Sequence, residues 1–437
     1  MAVPAAPAIS ETTSAVCLIF ILLVPLAAAG LALASNGLGK SRNAAHAMLS
    51  SLCVIAVAAI VYIAVGFSWE GFAGRAAHVI TVGGKPWDWI ARQPFFLRGL
   101  ELDGSPASLA VLLQMFAVGM AAIIPMSAAA DRWRLGAICA STAVLAGWTY
   151  PLFAHWVWGG GWLAQLGTIY GLGNGFLDTG GASTLQVLGG LTALSMVWIL
   201  GPRQGKFSSD GIPMGIPGHN LVNVVFGCLL TWVGWLGLNS AGAMLFGGTT
   251  LTGLVVVEVN TTLCASSSAL TALLVTRMRF GRPDASISAN GWVGGLVASS
   301  AATALLRPAT AILVGLVAGA LVALSVEWLE LWLRVDDPGG AISVHTLAGV
   351  WGLFAAGLFA NLGSRNPAPG QWLAQLVGIA TLLGFVLPVT YSLNWLLNRV
   401  YPHRVDTDGE RQGMDLHELG AGAYPEFMVH SDEFIQR

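Results

Sequence analysis

Two similar segments of this chain place a polar residue within an otherwise apolar stretch. Residues 178–190 read D-T-G-G-A-S-T-L-Q-V-L-G-G, and residues 337–349 read D-P-G-G-A-I-S-V-H-T-L-A-G. Each begins with an aspartate and has a polar residue eight positions later, Gln186 in the first copy and His345 in the second. A polar residue repeated in this way within apolar helices predicts a two-fold arrangement around a central pathway.

Gln186 and His345 have side chains that can guide a small polar solute. Eight helical residues rise about 12 Å, so both side chains are expected near the middle of a membrane, one reached from each face. A neutral histidine accepts or donates a hydrogen bond and can carry a proton, whereas glutamine does not titrate near neutral pH. The alternative is that both only bond neighbouring helices. Ionisable groups within membranes are usually functional, which favours a pathway more for His345 than for Gln186.

The aspartates that open the two segments have two compatible interpretations. The Asp178 carboxylate could favour a cation, or it could cap a helix that begins at Thr179 or Gly180. Capping alone would explain Asp337. The Gly-Gly pair in each copy lets helices approach closely, and packing is its simplest interpretation.

Aromatic residues precede the first copy. The stretch His155–Trp162 reads H-W-V-W-G-G-G-W, and Trp158 could hold a small cation by cation–π attraction. For Trp156 and Trp162 we expect an interfacial aromatic belt, which accounts for most tryptophans of membrane proteins. Phe116 could plug a pore, and its spacing fits core packing equally well.

The elements that must position these residues are membrane helices. Of the 437 residues, 55% are apolar and only 10% are charged, whereas a soluble domain carries about a quarter charged residues. The mean hydropathy is +0.71, so we predict an all-α, multi-pass membrane protein. The net charge of −2 indicates no nucleic acid or other polyanion as a partner. The five cysteines stand in apolar runs without metal-type spacing, and we expect no disulfide, metal or cofactor.

Eleven stretches are long and apolar enough to cross a bilayer, which takes about 20 residues. They are 14–34, 45–67, 106–129, 136–156, 182–201, 219–239, 250–276, 287–306, 309–333, 343–362 and 372–398. The short loops of one set contain only Arg307 and Arg365 as basic residues. The loops of the other set contain Lys40, Arg42, Arg132, Arg134, Arg203, Lys206, Arg277, Arg279, Arg282 and Arg334. Because basic residues concentrate in cytoplasmic loops, we expect the N-terminus outside and the C-terminus inside.

Asp178 then lies at the outer end of the fifth span, and Asp337 lies at the inner end of the tenth. The same local sequence enters the membrane from opposite faces, which indicates two inverted five-helix halves with an eleventh helix added. We therefore expect a membrane domain over residues 1–400. Its halves lie at about 14–201 and 219–362, its extra helix lies at 372–398, and a polar cytoplasmic tail follows at 401–437.

The sequence resembles the ammonium transporter family (Amt/Mep/Rh) over nearly its whole length. The matching segments are G-L-G-K-S-R-N at 37–43, H-W-V-W-G-G-G at 155–161, L-D-T-G-G at 177–181, W-L-G-L-N-S-A-G at 235–242, H-T-L-A-G at 345–349 and G-M-D-L-H-E-L-G-A-G-A-Y at 413–424. The resemblance implies eleven helices and a homotrimer in the plasma membrane, with one narrow hydrophobic pore per subunit. It also implies that ammonium is taken at an outer aromatic site, loses a proton, and passes as ammonia between two stacked histidines.

The resemblance assigns roles to individual residues. Asp178 matches a structural and recruiting aspartate, Trp158 the outer cation-site tryptophan, Trp235 a pore-lining tryptophan, and His345 the second pore histidine. The family's tail packs under the trimer and couples its subunits, and a PII-type regulatory protein is a candidate partner there. We expect the tail to be ordered up to Tyr424 and frayed after it.

The sequence also departs from the family at four positions. The first pore histidine is Gln186, the second gate phenylalanine is Leu238, and the small hydroxyl residue of the outer site is Gly242. Phe116 matches the first gate phenylalanine only if a one-residue slip is allowed before Asp131. Gln186 breaks a histidine–histidine proton relay, which favours conduction of ammonia alone or slow transport.

Three functions follow from these observations. The first is ammonium/ammonia transport across the lipid bilayer. The second is an ammonium-binding sensor with little or no flux, which is less expected because only 39 residues follow Asn398. The third is a channel for another small neutral molecule, such as carbon dioxide or methylamine. An enzyme is not expected, because the sequence offers no nucleophile–base pair.

Overall fold

The computed structural model describes residues 9–73, 75–362 and 369–424. Arg365, which entered the count of basic loop residues, and the last residues of the tail lie outside the described part. Helices make up most of the chain, which confirms the all-α membrane fold. In the described part, ten helices are long and apolar enough to cross a bilayer. They are α1 (Glu11–Leu38), α2 (Ser41–Glu70), α3 (Pro106–Ala128), α4 (Leu135–Val157), α5 (Ala182–Leu200), α6 (Leu221–Leu245), α7 (Leu251–Phe280), α9 (Pro308–Leu333), α10 (Ile342–Phe359) and α11 (Gln371–Val400).

The remaining predicted span, 287–306, forms a shorter helix. This helix, α8, covers Ala285–Ser299 and is followed by a turn at Thr303–Leu305. The amide of Asn260 on α7 donates to the carbonyls of Thr303 at 2.9 Å and Leu306 at 2.8 Å. A chain that leaves its helix inside a membrane needs such partners for its backbone groups, and a side chain of α7 supplies them.

The two halves of the protein meet at positions that correspond in the repeat. A Cβ added to Gly190 of the first copy would lie 2.3 Å from Thr346 Oγ1, and one added to Gly349 of the second would lie 2.6 Å from Val187 Cγ2. Gly190 and Gly349 occupy the same motif position, and so do Val187 and Thr346. These reciprocal contacts are those of a pseudo-two-fold axis between inverted halves, and they require glycine because the helices touch there.

The first helices of the two halves are also in direct contact. A Cβ on Gly30 of α1 would lie 2.4 Å from the carbonyl oxygen of Gly227 on α6, and one on Gly234 would lie 2.1 Å from the amide nitrogen of Ala27. Small residues therefore let the two backbones approach closely, as is common between membrane helices.

A β-hairpin between α2 and α3 is an element that the sequence analysis missed. Strands β1 (Ala77–Val82) and β2 (Lys85–Ala91) pair antiparallel around Gly83 and Gly84, which have φ of +58° and +78°. A Gly-Gly pair between two strands is a common hairpin turn. The hairpin lies at one end of α2, and we call this side of the protein the hairpin face.

Trp156 and Trp162 pack under this hairpin rather than in an aromatic belt, so that prediction was wrong. The ring of Trp87 stacks on Trp162 with centroids 4.4 Å apart, and Trp156 Nε1 donates to the carbonyl oxygen of Trp89 at 2.7 Å. Trp156 and Trp162 are each less than a tenth exposed. The hairpin therefore shields these two rings, which were predicted to lie at the membrane interface.

The tail packs against the opposite end of α2, which we call the tail face. The Asp415 carboxylate accepts from the backbone N–H groups of Ala45 at 3.1 Å and His46 at 2.7 Å. Glu418 Oε2 lies 2.8 Å from His46 Nε2 and accepts from the N–H of Leu135 at 2.9 Å. The tail therefore caps α2 and joins it to α4.

Buried charges hold the loops of the tail face together. Arg203 contacts Asp131 at 2.9 Å and Asp336 at 3.0 Å. Burial opposes ionisation of Asp131, but Arg203 and the Asn43 amide outweigh it and lower the pKa of that carboxyl. Burial lowers the pKa of Arg132 to about 10, with Asp336 acting in the opposite direction. These ion pairs anchor the loop before α10, where the second motif copy begins.

Candidate functional site

The Asp178 carboxylate closes the start of α5 near the hairpin face. It accepts hydrogen bonds of 2.7–3.2 Å from the backbone N–H groups of residues 181–184. Gly181 has φ of +87°, so the right-handed helix begins at Ala182 instead of at Thr179 or Gly180 as predicted. Asp178 is only 4% exposed, and its carboxylate caps the N-terminus of α5.

Asp337 repeats this arrangement at the tail face. Its carboxylate accepts from the N–H groups of Ala341 at 3.0 Å and Ile342 at 2.7 Å. Burial raises the pKa of Asp337 to about 6, although these two N–H groups act in the opposite direction. The two aspartates thus start α5 and α10 from opposite faces of the membrane.

The two caps bring the polar residues of the repeat into contact. Gln186 Oε1 lies 2.7 Å from His345 Nδ1. An amide oxygen only accepts, so His345 carries its proton on Nδ1 and leaves Nε2 as an acceptor. Gln186 is fully buried and His345 is 4% exposed. Both side chains lie in the interior of the protein, and their contact is a feature that only the structure supplies.

One polar group at this contact has no protein partner. Gln186 Nε2 is buried and makes no hydrogen bond with any described residue. An unpaired buried donor is costly, typically by about 1–3 kcal/mol, so it favours any passing solute that can accept a hydrogen bond. The pair therefore offers one free donor, from Gln186, and one free acceptor, from His345.

A narrow cavity connects His345 with the tail face. Its walls are mostly apolar, with Ile123, Val293 and Val344 among them, and polar atoms are contributed by Ser127 and Asn290. A constricted, mainly apolar path admits small neutral molecules more readily than ions, because an ion would lose its hydration without replacement.

Trp158 lies near the hairpin face and is only 4% exposed. It stacks on Phe246 with centroids 4.4 Å apart and an interplanar angle of 5°, and its Nε1 donates to the carbonyl oxygen of Asp178 at 2.6 Å. The sequence analysis did not select Phe246. No sequence signal marks it, because it follows the last turn of α6 and reaches Trp158 only in the folded protein.

Gly242 has no space for the hydroxyl side chain that the family carries there. A Cβ at this position would lie 2.1 Å from the carbonyl oxygen of Thr179. At this position α6 is in close contact with the residues that precede α5.

The remaining selected residues lie in the apolar interior. Trp235 is fully buried, and its Nε1 donates to Ser300 Oγ at 2.8 Å. Leu238 is buried in the main core, and Phe116 is partly buried against the same core. The segment that follows α8 therefore holds the Trp235 ring in place. This contact was not predicted from the sequence.

These features define a multi-pass membrane protein with inverted halves and a small, mainly apolar cavity next to His345. The chain belongs to the ammonium transporter family, whose sequence model matches residues 15–424. It is 34% identical to the ammonium transporter Amt2 of Archaeoglobus fulgidus, over 94% of this chain and 88% of that relative. It is 31% identical to an ammonium transporter of Bacillus subtilis, over 93% of this chain and 97% of that relative.

Solved structures share the fold. A structure described as a sensor Amt protein superposes with a TM-score of 0.83 at 26% identity, covering 93% of this chain and 98% of that one. Mep2 of Candida albicans superposes with a TM-score of 0.77 at 24% identity, covering 96% of this chain and 91% of the other. At this identity the second likeness concerns the fold alone.

Proposed function

We propose that this protein carries ammonium nitrogen across the membrane as neutral ammonia, along a path that runs past the hydrogen-bonded pair of Gln186 and His345. The observation that carries the proposal is the 2.7 Å contact between Gln186 Oε1 and His345 Nδ1, with Gln186 Nε2 left unpaired. Family membership and the names of the relatives make ammonium the expected substrate.

The free groups of this pair favour ammonia over ammonium. Ammonia has a lone pair that can accept from Gln186 Nε2, and N–H groups that can donate to His345 Nε2. Ammonium has four N–H donors and no lone pair, so the free Gln186 donor repels it. Glutamine also cannot pass a proton along, because its amide does not titrate near neutral pH. Ammonium therefore gives its proton to water on the entrance side, and the passage of ammonia past the pair is electroneutral.

The outer binding and gating roles are part of the same proposal. Trp158 and Asp178 lie together near the hairpin face, where we place the entrance, and Trp235 lines the path below them. Phe116 and Leu238 narrow the path above Gln186. This assignment draws on the family resemblance, and the buried positions of these residues are compatible with it.

We place the tail face in the cytoplasm of the cell and the hairpin face outside its plasma membrane. The support is the excess of Lys and Arg in the loops of the tail face. We further propose a homotrimer with one pore in each subunit, and a PII-type regulator as a partner at the tail face. Native mass spectrometry of the detergent-solubilised protein would give the subunit number directly.

Two other functions are weaker candidates. A sensor is suggested by the description of one structural relative, but the curated relatives are named transporters, which favours flux. Carbon dioxide is also small and neutral, yet it lacks N–H donors for His345 Nε2, so the pair would not assist it.

Internal pH in proteoliposomes tests the proposal. An inward ammonium gradient should alkalinise the lumen faster than in protein-free liposomes, and a carbon dioxide gradient should acidify both preparations at equal rates. Equal rates with ammonium would refute transport, and measurement of ammonium binding would then test the sensor. Faster acidification with carbon dioxide would show that the path does not select for ammonia.

A further inference from the structure

A cluster of unpaired polar groups lies near the hairpin face, beside the path already described. Glu70, the last residue of α2, is fully buried. Tyr62 Oη donates to its Oε2 at 2.8 Å, whereas its Oε1 has no hydrogen-bond partner among the described residues. No cation of the described chain neutralises this carboxyl group.

Two neighbours of Glu70 also have unused hydrogen-bonding groups. Tyr62 Oη lies 3.3 Å from the Gln114 amide, and the Tyr62 ring packs edge-on against Tyr150 with centroids 6.2 Å apart. The Tyr150 hydroxyl and Gln114 Nε2 are buried and have no partner in the described part, and Gln114 Oε1 is the amide atom that faces Tyr62. Glu70, Gln114 and Tyr150 therefore lie close together, each with a buried polar atom that no described residue pairs.

The single hydroxyl proton of Tyr62 determines which atom of the Gln114 amide faces Tyr62 and which has no partner. A tyrosine hydroxyl has one proton, and here it goes to Glu70. The Gln114 amide then meets the hydroxyl best as a donor through its NH2 group, since the hydroxyl can only accept from it. Exchange of the two amide atoms of Gln114 gives this orientation and leaves the amide oxygen free. Glu70, Gln114 and Tyr150 thus each present an oxygen acceptor.

The cluster adjoins the entrance. A Cβ added to Gly159 would lie 2.4 Å from the carbonyl oxygen of Glu70, and the preceding residue, Trp158, donates to the carbonyl of Asp178. Tyr150 is within electrostatic range of both Glu70 and Asp178. The other titratable neighbour is His155, whose Nδ1 lies 2.6 Å from the Glu70 carbonyl oxygen.

We propose that Glu70, Gln114 and Tyr150 form a buried binding site for one ammonium ion next to the entrance. A small cation with four N–H donors can give three of them to the oxygens of these residues, and it supplies the charge that a buried carboxylate requires. The site holds ammonium before its proton is lost, whereas the Gln186–His345 pair admits only ammonia. The inference rests on the proposed function, because ammonium must be the solute at the entrance.

Thermal unfolding of the full-length protein in detergent tests the site without any measurement of flux. Ammonium chloride should raise the melting temperature of the wild type above its value in equal sodium chloride. Glu70→Gln should weaken ammonium binding at least about a hundredfold and abolish this difference, and Tyr150→Phe should weaken it about tenfold. The matched control is Glu258→Gln, which alters a membrane carboxyl that accepts from Ser240 Oγ at 2.6 Å, and it should keep the wild-type response.

Each contrary result removes the proposal. An ammonium response that survives in Glu70→Gln would place the ion elsewhere, and an equal response to sodium would show a site without the proposed selectivity. If Glu70→Gln does not fold, an unchanged response in Tyr150→Phe decides against the site. An infrared carboxylic-acid band that depends on Glu70 and is unaffected by ammonium would show a permanently protonated group instead. Ammonium binding without flux in liposomes would refute transport but leave the site in place, and flux without binding would do the reverse.

Discussion

The carboxamide oxygen of Gln186 lies 2.7 Å from Nδ1 of His345, and the two residues occupy the same position in inverted copies of one motif. The contact fixes the tautomer of the histidine and leaves a donor on the glutamine. Because the glutamine cannot titrate, the pair can bind ammonia but cannot pass a proton from one residue to the other.

Replacement of this glutamine by histidine should restore a proton route. In Gln186→His, two titratable rings would face each other, so we expect a current in proteoliposomes under an ammonium gradient that the wild type lacks. Currents on solid-supported membranes would measure it. Gln186→Leu is the control, since it adds no titratable group and should give no current. If Gln186→His leaves both rate and current unchanged, the account of the pair is wrong.

Phe246 covers one face of Trp158 and should limit cation binding there. Truncation in Phe246→Ala exposes that face, and a cation–π contact contributes about 0.5–1 kcal/mol at an exposed site. We expect the half-saturating ammonium concentration for uptake to fall about two- to fivefold. Phe246→Leu should give an intermediate value, because it covers less of the indole. A half-saturating concentration that rises in both variants would mean that the stacked ring is itself part of the binding site.

The close contact at Gly190 should make a single methyl group destabilising. In Gly190→Ala the new Cβ would lie 2.3 Å from Thr346 Oγ1 and 2.8 Å from the Thr346 amide nitrogen. Overpacking of this kind costs about 1–3 kcal/mol, and thermal unfolding in detergent would measure it. Gly384→Ala is the control, because nothing lies within 4 Å of its added Cβ, and it should be neutral or slightly stabilising. Equal stability of the two variants would contradict the described helix contact.

Asp415 should hold the tail on the tail face. Asp415→Ala removes the acceptor for the N–H groups of Ala45 and His46, and loss of such a cap costs about 0.5–2 kcal/mol. We expect faster tryptic cleavage after Arg411, measured by mass spectrometry of the fragments. Asp408→Ala changes an exposed carboxylate of the same tail and should be cleaved at the wild-type rate. Equal rates for the two variants would show that the cap does not hold the tail.

The ionisation of Asp337 should lower the free energy of unfolding of the protein as pH rises. Its pKa is raised by burial from 3.8 to about 6, so the folded protein holds this proton more tightly than the unfolded chain. The stability from that proton is present below about pH 4 and is lost as pH rises through about 6. Asp337→Asn keeps a capping oxygen without the charge. Melting curves should therefore show the wild type losing up to about 3 kcal/mol relative to the variant between about pH 4 and pH 7. Parallel pH profiles would contradict this.

The positions of the helices could be predicted from the sequence, and so could the interior position of the two polar residues of the repeat. The length of each apolar stretch gave most helix ends within a few residues, and the repeated motif predicted that Gln186 and His345 lie in the interior. Asp178 could be assigned as a cap, since an aspartate before a helical stretch commonly has that role. Each of these features is determined by residues that are close together in the sequence, so it can be predicted from the sequence alone.

Other features depend on contacts between distant residues. The early end of α8 requires Asn260 from α7, and the cover on Trp158 requires Phe246 from the end of α6. Glu70 is the last residue of a long apolar stretch. A charged residue at such a position usually lies at the membrane surface, and only the structure shows that Glu70 is buried. The hairpin is different, because the Gly83-Gly84 pair between alternating residues is a recognisable signal that the analysis overlooked.

The most direct test of the account measures current and internal pH together in proteoliposomes of the wild-type protein under an inward ammonium gradient. We expect internal alkalinisation faster than in protein-free liposomes, with no current above theirs, because ammonia alone moves past the Gln186–His345 pair. A current that accompanies the alkalinisation would show that net charge crosses, and would contradict the central claim.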